Sequence, residues 1–145
     1  MAEVKTIDID GVQWSIKDQT ARDKITDIEK NISTEDLPDV QVTLENGYTC
    51  RSITMQNHYK AGKIHFTEIV INDISGDNVG TLTTIKIAKS NLIAKKTTSF
   101  ILRDYIAPIT VRGSIDQNGY IYLEETNGIN QGNNAIRGEI IFAEP

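Results

Sequence analysis

The chain has 145 residues, 39% of them hydrophobic, a mean hydropathy of −0.31, and 15 basic against 20 acidic side chains for a net charge of −5. That balance fits one ordinary domain with its own core plus a short appendage, and it excludes the disordered and membrane-spanning classes, since no run approaches the roughly 18 apolar residues of a spanning helix. No basic footprint for nucleic acid is visible, and the single cysteine, Cys50, leaves neither an internal disulfide framework nor a cysteine-rich zinc site.

The opening Met-Ala-Glu-Val-Lys-Thr has no apolar core segment, so no secretory signal is expected. Ile7 and Ile9 alternate with polar residues, as do Val12, Trp14 and Ile16, and Asp10-Gly11 between them is a two-residue hairpin signal. Residues 1–17 therefore read as a small hairpin with Trp14 as its largest apolar anchor. An isolated hairpin is barely stable in water, so this one is expected to pack on a neighbouring chain or another protein.

Residues 18–33 carry Ala21, Ile25, Ile28 and Ile32, spaced 4, 3 and 4 apart with only polar residues between. This is the a/d seam of a coiled coil. Asp18 is the candidate N-cap, Thr20-Ala-Arg-Asp23 fits a capping box, and Pro38 forbids continuation. A helix of this length spans only about 24 Å and is marginal alone. Placing Ala21 and Ile28 at a leaves Ile25 and Ile32 at d, and isoleucine at d moves preference from the parallel dimer toward three or four strands. A trimeric neck over residues 18–36 is the expectation. The alternative is an amphipathic helix lying on its own β domain.

From residue 37 to 145 the period becomes 2. Val40, Val42 and Leu44 alternate, Asn46-Gly47 signals a second type I′ hairpin, and the return strand runs from Tyr48 to about His58. After a turn at Lys60-Ala-Gly-Lys63 comes a β-branched run over 64–71, apolar on both faces at Ile69, Val70 and Ile71. Such a strand is either central and covered on both sides or meets another subunit. Further strands are expected at 83–88, 99–102, 109–115, 120–123 and 136–142, with an exposed connection at 89–98 and loops at 103–108 and 126–134. Short antiparallel strands at this spacing predict a mainly β fold, a sandwich or jelly-roll-like head.

The string Ile16-Lys17-Asp18, Ala21-Arg22, Ile25 resembles the start of many phage tail and baseplate proteins, where it leads into a short coiled coil. The stretch from Gly80-Thr-Leu-Thr-Thr-Ile-Lys-Ile through Ile115-Asp-Gln-Asn-Gly-Tyr-Ile-Tyr-Leu123 is similar to the heads of phage receptor-binding proteins. The resemblance implies a homotrimeric virion adhesin made in the host cytoplasm. Its N-terminal segment would dock on other tail or baseplate proteins, and its β heads would bind host-surface saccharide. The chain departs from that family in having no evident β-prism shoulder and in its shorter length, and no ligand residue carries over position by position.

Chemistry points the same way, toward recognition and away from catalysis. Glu124 and Glu125 are adjacent, so on a strand they face opposite sides and cannot form an acid/base pair. His58 and His65 lie on neighbouring predicted strands, without a carboxylate at metal-ligand spacing. Cys50 has no base partner and reads as a structural thiol. No nucleophile elbow, phosphate loop or dinucleotide fingerprint is present, and no cofactor or metal is expected. Saccharide sites combine an aromatic platform with amide, carboxylate or guanidinium groups on loops. Arg103-Asp104-Tyr105 and the Asn127, Asn130, Gln131, Asn133, Asn134 cluster offer that chemistry, with Arg103, Asp104, Tyr105, Asn130 and Asn133 as the candidate ligand residues. Read blandly, Arg103-Asp104 is a surface ion pair and the Asn/Gly tract only turns the chain. Three functions remain: a trimeric adhesin, a structural fibre, baseplate or head-decoration protein without a ligand, or a monomeric carbohydrate-binding module.

Overall fold

Two alternating runs separated by two residues form an antiparallel ribbon, β1 (Lys5–Ile9) with β2 (Val12–Ile16), in a register that sets Ile9 opposite Val12. The computed structural model describes residues 5–9, 12–16 and 19–145, and for 5–9, 12–16, 19 and 30–32 it describes the backbone alone. The expected turn at Asp10-Gly11, the Asp18 cap and the side chains of Trp14 and Ile32 lie outside the described residues. The helix α1 (Gln19–Ile32) follows the 3.6-residue pattern to within a residue of expectation. Among the described residues its contacts run chiefly to β2. Ala21 and Ile25 are half-buried, while Ile28 is 58% exposed within the single chain.

Among the described residues, nine further strands form one sheet: β3 (Thr34–Asp36), β4 (Val42–Leu44), β5 (Ser52–Ala61), β6 (Ile64–Asn72), β7 (Ile85–Ser90), β8 (Thr98–Asp104), β9 (Ile109–Ile115), β10 (Tyr120–Glu124) and β11 (Ala135–Ala143). Their order is β3-β5-β6-β11-β8-β9-β10-β7-β4, antiparallel throughout. The sheet curls until its ends meet in a single stretch of chain. β3 runs beside β5, pairing Thr34 with Ala61 and Asp36 with Tyr59. The Leu37 N–H then donates to the His58 carbonyl at 2.7 Å, and the Val40 N–H to that of Met55 at 3.0 Å. The same stretch next crosses to β7, where Val42 pairs with Ser90 and Leu44 with Ala88. Residues 34–44 thus occupy both ends of the sheet, so neither end presents a long row of unpaired backbone groups.

The strands were expected to divide between two packed layers; they belong instead to one sheet. In-out alternation reports which face of a strand is buried, and it reads the same whether the opposing wall is a second sheet or the far side of the same one. The Asn46-Gly47 turn forms as expected, with φ of 55° and 77° and a 3.2 Å bond from the Tyr48 N–H to the Glu45 carbonyl. Its arms do not pair as a hairpin, however: β4 turns to β7, and Thr49 bridges Ser75. The expected connection at 89–98 is also less exposed than its lysines indicate, because β7 extends through Ser90 and both Leu92 and Ala94 are buried.

The core fills the inside of the curl. Ile69, Ile71, Leu102, Ile121, Ile136 and Ile140 are fully buried there, each side chain contributing about 1.5–3 kcal/mol by removal from water. β6 is central, between β5 and β11. Ile69 and Ile71 point inward, and Val70 between them is buried outside the central cluster, where Thr54 and Arg137 are its cross-strand neighbours.

Candidate binding cleft

An irregularity in β5 builds the most distinctive chemistry of the head. The β5–β6 register shifts between Gln56 and Tyr59, so Asn57 and His58 together oppose Thr67. Asn57 takes φ 53°, a left-handed conformation that asparagine tolerates better than most residues. The extra residue changes which side chains face out. Gln56 and Asn57 both reach the outer face, where their amide nitrogens donate to Glu68 Oε2 at 3.0 Å each. His58 turns inward.

On the outer face three bands cross the strands. Tyr59 pairs with Phe66, their rings stacked at 4.8 Å and 8°, and Phe66 pairs with the exposed Ile141. Two residues along, Glu68 lies directly opposite Glu139. Two further along, Arg137 lies directly opposite Arg103, and both guanidinium groups sit over the Tyr105 ring, at 5.7 and 5.9 Å from its centroid. A cleft of about 380 Å³ opens here, lined by Asn57, Tyr59, Phe66, Thr67, Glu68, Tyr105, Arg137, Gly138 and Glu139. It offers aromatic surface, acceptors and fixed donors to a hydroxylated ligand.

The candidate residues read from the sequence divide. Tyr105, 64% exposed, lines the cleft, and Arg103 flanks it. Asp104 does not: it ends β8 as a fully buried side chain, its Oδ1 accepting from the Ile106 and Ala135 N–H groups at 3.0 Å each. This corrects both the ligand role and the surface ion pair, because the carboxylate is occupied in ending one strand and starting another. Its Oδ2 is buried and has no hydrogen-bond partner among the described residues. Asn130 and Asn133 are exposed in the 126–134 loop and are not among the cleft residues. Two other members of that amide cluster, Asn134 and Gln131, are structural. Buried Asn134 accepts from the Ile74 N–H and donates to the Ile74 carbonyl, both at 3.0 Å, while Gln131 donates to the Val79 carbonyl at 3.2 Å.

Sequence reasoning missed Tyr59, Phe66, Glu68, Arg137 and Glu139. One signal was available, since Arg137, Glu139 and Ile141 alternate along the last strand and must share a face. The matching positions on β5 were hidden by the bulge.

On the inner face the two histidines do meet, His58 Nε2 lying 2.9 Å from His65 Nδ1, with His65 stacked on Phe142 at 4.9 Å. The chain supplies a carboxylate that the spacing did not reveal: Glu144 Oε2 is 3.3 Å from His65 Nε2, and the Pro38 carbonyl is 3.1 Å from His58 Nδ1. A carbonyl only accepts, so the contact to Pro38 needs a proton on His58 Nδ1. The carboxylate likewise accepts, so the contact to Glu144 needs one on His65 Nε2, and the bond between the rings needs a third, on His58 Nε2 or His65 Nδ1. Two neutral rings hold two protons for three contacts, so all three are made only when one of the rings bears both. Long-range 1H–15N spectra should therefore show His58 protonated at Nδ1. A His58 protonated at Nε2 alone would mean that its contact to Pro38 is not made.

Cys50 is half-buried against the core, and burial pushes its thiol pKa up, away from the activated range. No group of three or more metal-ligating side chains occurs among the described residues. Comparison of the sequence with family models and characterised proteins, and of the fold with solved structures, returns no match.

Proposed function

We propose that the chain is a virion adhesin of the phage tail or baseplate type, a binding protein and not an enzyme, which holds host-surface saccharide in the outer-face cleft and gathers its heads through α1. The observation that carries this reading is the cleft itself. Exposed Tyr105, the Tyr59–Phe66 stack, the amide-held Glu68 and the guanidinium of Arg137 converge on one open surface from three separate stretches of chain. Hydroxylated ligands are bound by such combinations of ring faces and planar hydrogen-bonding groups. The exposed seam residue Ile28 supports the multimeric part, because an open cleft gives weak single contacts that several linked heads convert to avidity.

The test is binding of the full chain to an array of bacterial surface polysaccharides, with Tyr105→Ala beside it. Wild type should bind a subset of the array, and Tyr105→Ala should lose at least about tenfold in affinity, the scale of a central aromatic contact. Absence of binding to every polysaccharide would overturn the adhesin. It would favour the second reading, a structural fibre or decoration protein, in which Tyr59 on Phe66 is only a cross-strand pair stabilising the sheet.

A further inference from the structure

Like charges placed directly opposite across a strand pair destabilise a sheet. The pairing of β11 with β8 has only two registered positions, and one of them is Arg137 against Arg103. Both side chains are exposed, and among the described residues neither is in an ion pair. Their common support is the Tyr105 ring beneath both guanidinium groups. The backbone that carries the ring is held on both sides: the Tyr105 N–H donates to the Ala135 carbonyl at 2.9 Å, and the Ile106 N–H donates to buried Asp104 at 3.0 Å. Two guanidinium forks over one ring, in no ion pair among the described residues, can take an anion between them, since arginine pairs bidentately with phosphate or carboxylate.

The neighbouring band limits what kind of anion fits. Glu68 and Glu139 lie one rung pair from the arginines, so a densely charged polymer would be repelled there. The aromatic band lies four residues from the arginines, about 13 Å at the rise of a strand. We infer, resting on the saccharide reading above, that the ligand is a sparsely charged acidic saccharide. Its phosphate or carboxylate is held by Arg103 and Arg137, and its neutral hydroxylated units lie against Glu68, Glu139 and the Tyr59–Phe66 pair.

The experiment compares wild type, Arg103→Gln, Arg137→Gln and Arg137→Lys on neutral, phosphate-bearing and uronate-bearing bacterial polysaccharides at low and high salt. Binding should fall on acid-bearing members, weaken with salt, and drop at least tenfold in each Gln variant. Arg137→Lys should recover only part of it, because it restores the charge without the fork. Phosphate-bearing against uronate-bearing members separates the two sources of the anion. Melting temperatures of the Gln variants should equal or exceed that of wild type, since a like-charge pair is relieved. Binding confined to neutral members and unchanged in both Gln variants would overturn the acidic ligand while leaving a saccharide site in place. Failure to bind any member would remove both.

Discussion

Replacing Gly138 by alanine should cost the head about 3 kcal/mol or more, the upper part of the range for overfilled cores. Gly138 sits on β11 between Ile136 and Ile140, all three facing inward, and both isoleucines are fully buried. The space its side chain would take is held by β8. A Cβ there would run into the Ile101 carbonyl oxygen, approach Leu102 Cδ2 to 2.7 Å and Leu102 Cα to 3.2 Å. Two of those three atoms are backbone and cannot rotate aside, and Leu102 is itself fully buried. The strands would have to separate next to their only two registered pairs, which also position Arg103 and Arg137. Gly132 is the control. It has φ 67° but nothing within 4 Å of a Cβ, so alanine there should cost only about 1 kcal/mol of backbone strain. Urea unfolding separates the cases through the shift in midpoint at constant slope. Equal midpoints for the two variants would show that β8 and β11 are not in close contact at Gly138.

That close approach illustrates what single-chain patterning can and cannot convey. The residues of α1, β9 and β11 were legible because their periods run unbroken, and those of β6 because its β-branched run is long; the boundaries fell within a few residues. Partners were not. The Asn46-Gly47 turn has the φ values its sequence demands, yet its arms part because Val42 and Leu44 bury against β7. A turn residue fixes a local reversal, while pairing is decided by which distant strand covers the apolar face.

The cleft was half-legible for a related reason. Arg103 and Tyr105 could be chosen by type, but Asp104 between them looked equivalent and is buried, because a strand end inverts exposure at each step. Tyr59 and Glu68 were invisible as a site, since the bulge at Asn57-His58 breaks the alternation that would have put them on one face. Arg137 and Glu139 lie far along the chain and join only through the β6–β11–β8 order. A site assembled from β5, β6, β8 and β11 leaves no local motif.

In the proposed trimer, the neck holds the heads together. Ile25→Asn with Ile28→Asn should reduce the mass in light scattering from three chains to one and leave the melting of the β head unchanged. The independence follows from the contacts of α1, which among the described residues run chiefly to β2. The size of the effect follows from the seam. Ile28 is 58% exposed in the single chain, and burying isoleucine contributes about 1.5–3 kcal/mol per side chain. Exposed Ile28 and half-buried Ile25 in each of three chains outweigh what a two-heptad helix could otherwise muster, and asparagine would add unsatisfied polar groups to the same interface. The heads would then bind one at a time, so retention on a polysaccharide surface should collapse even though the affinity of each cleft is unchanged. If the mass of the double variant stays at three chains, the heads themselves hold the assembly, and the exposed strand residues Ile101 and Ile141 are the place to search for that contact. A wild-type chain that scatters as a monomer would dispose of the neck outright and leave the cleft to act alone.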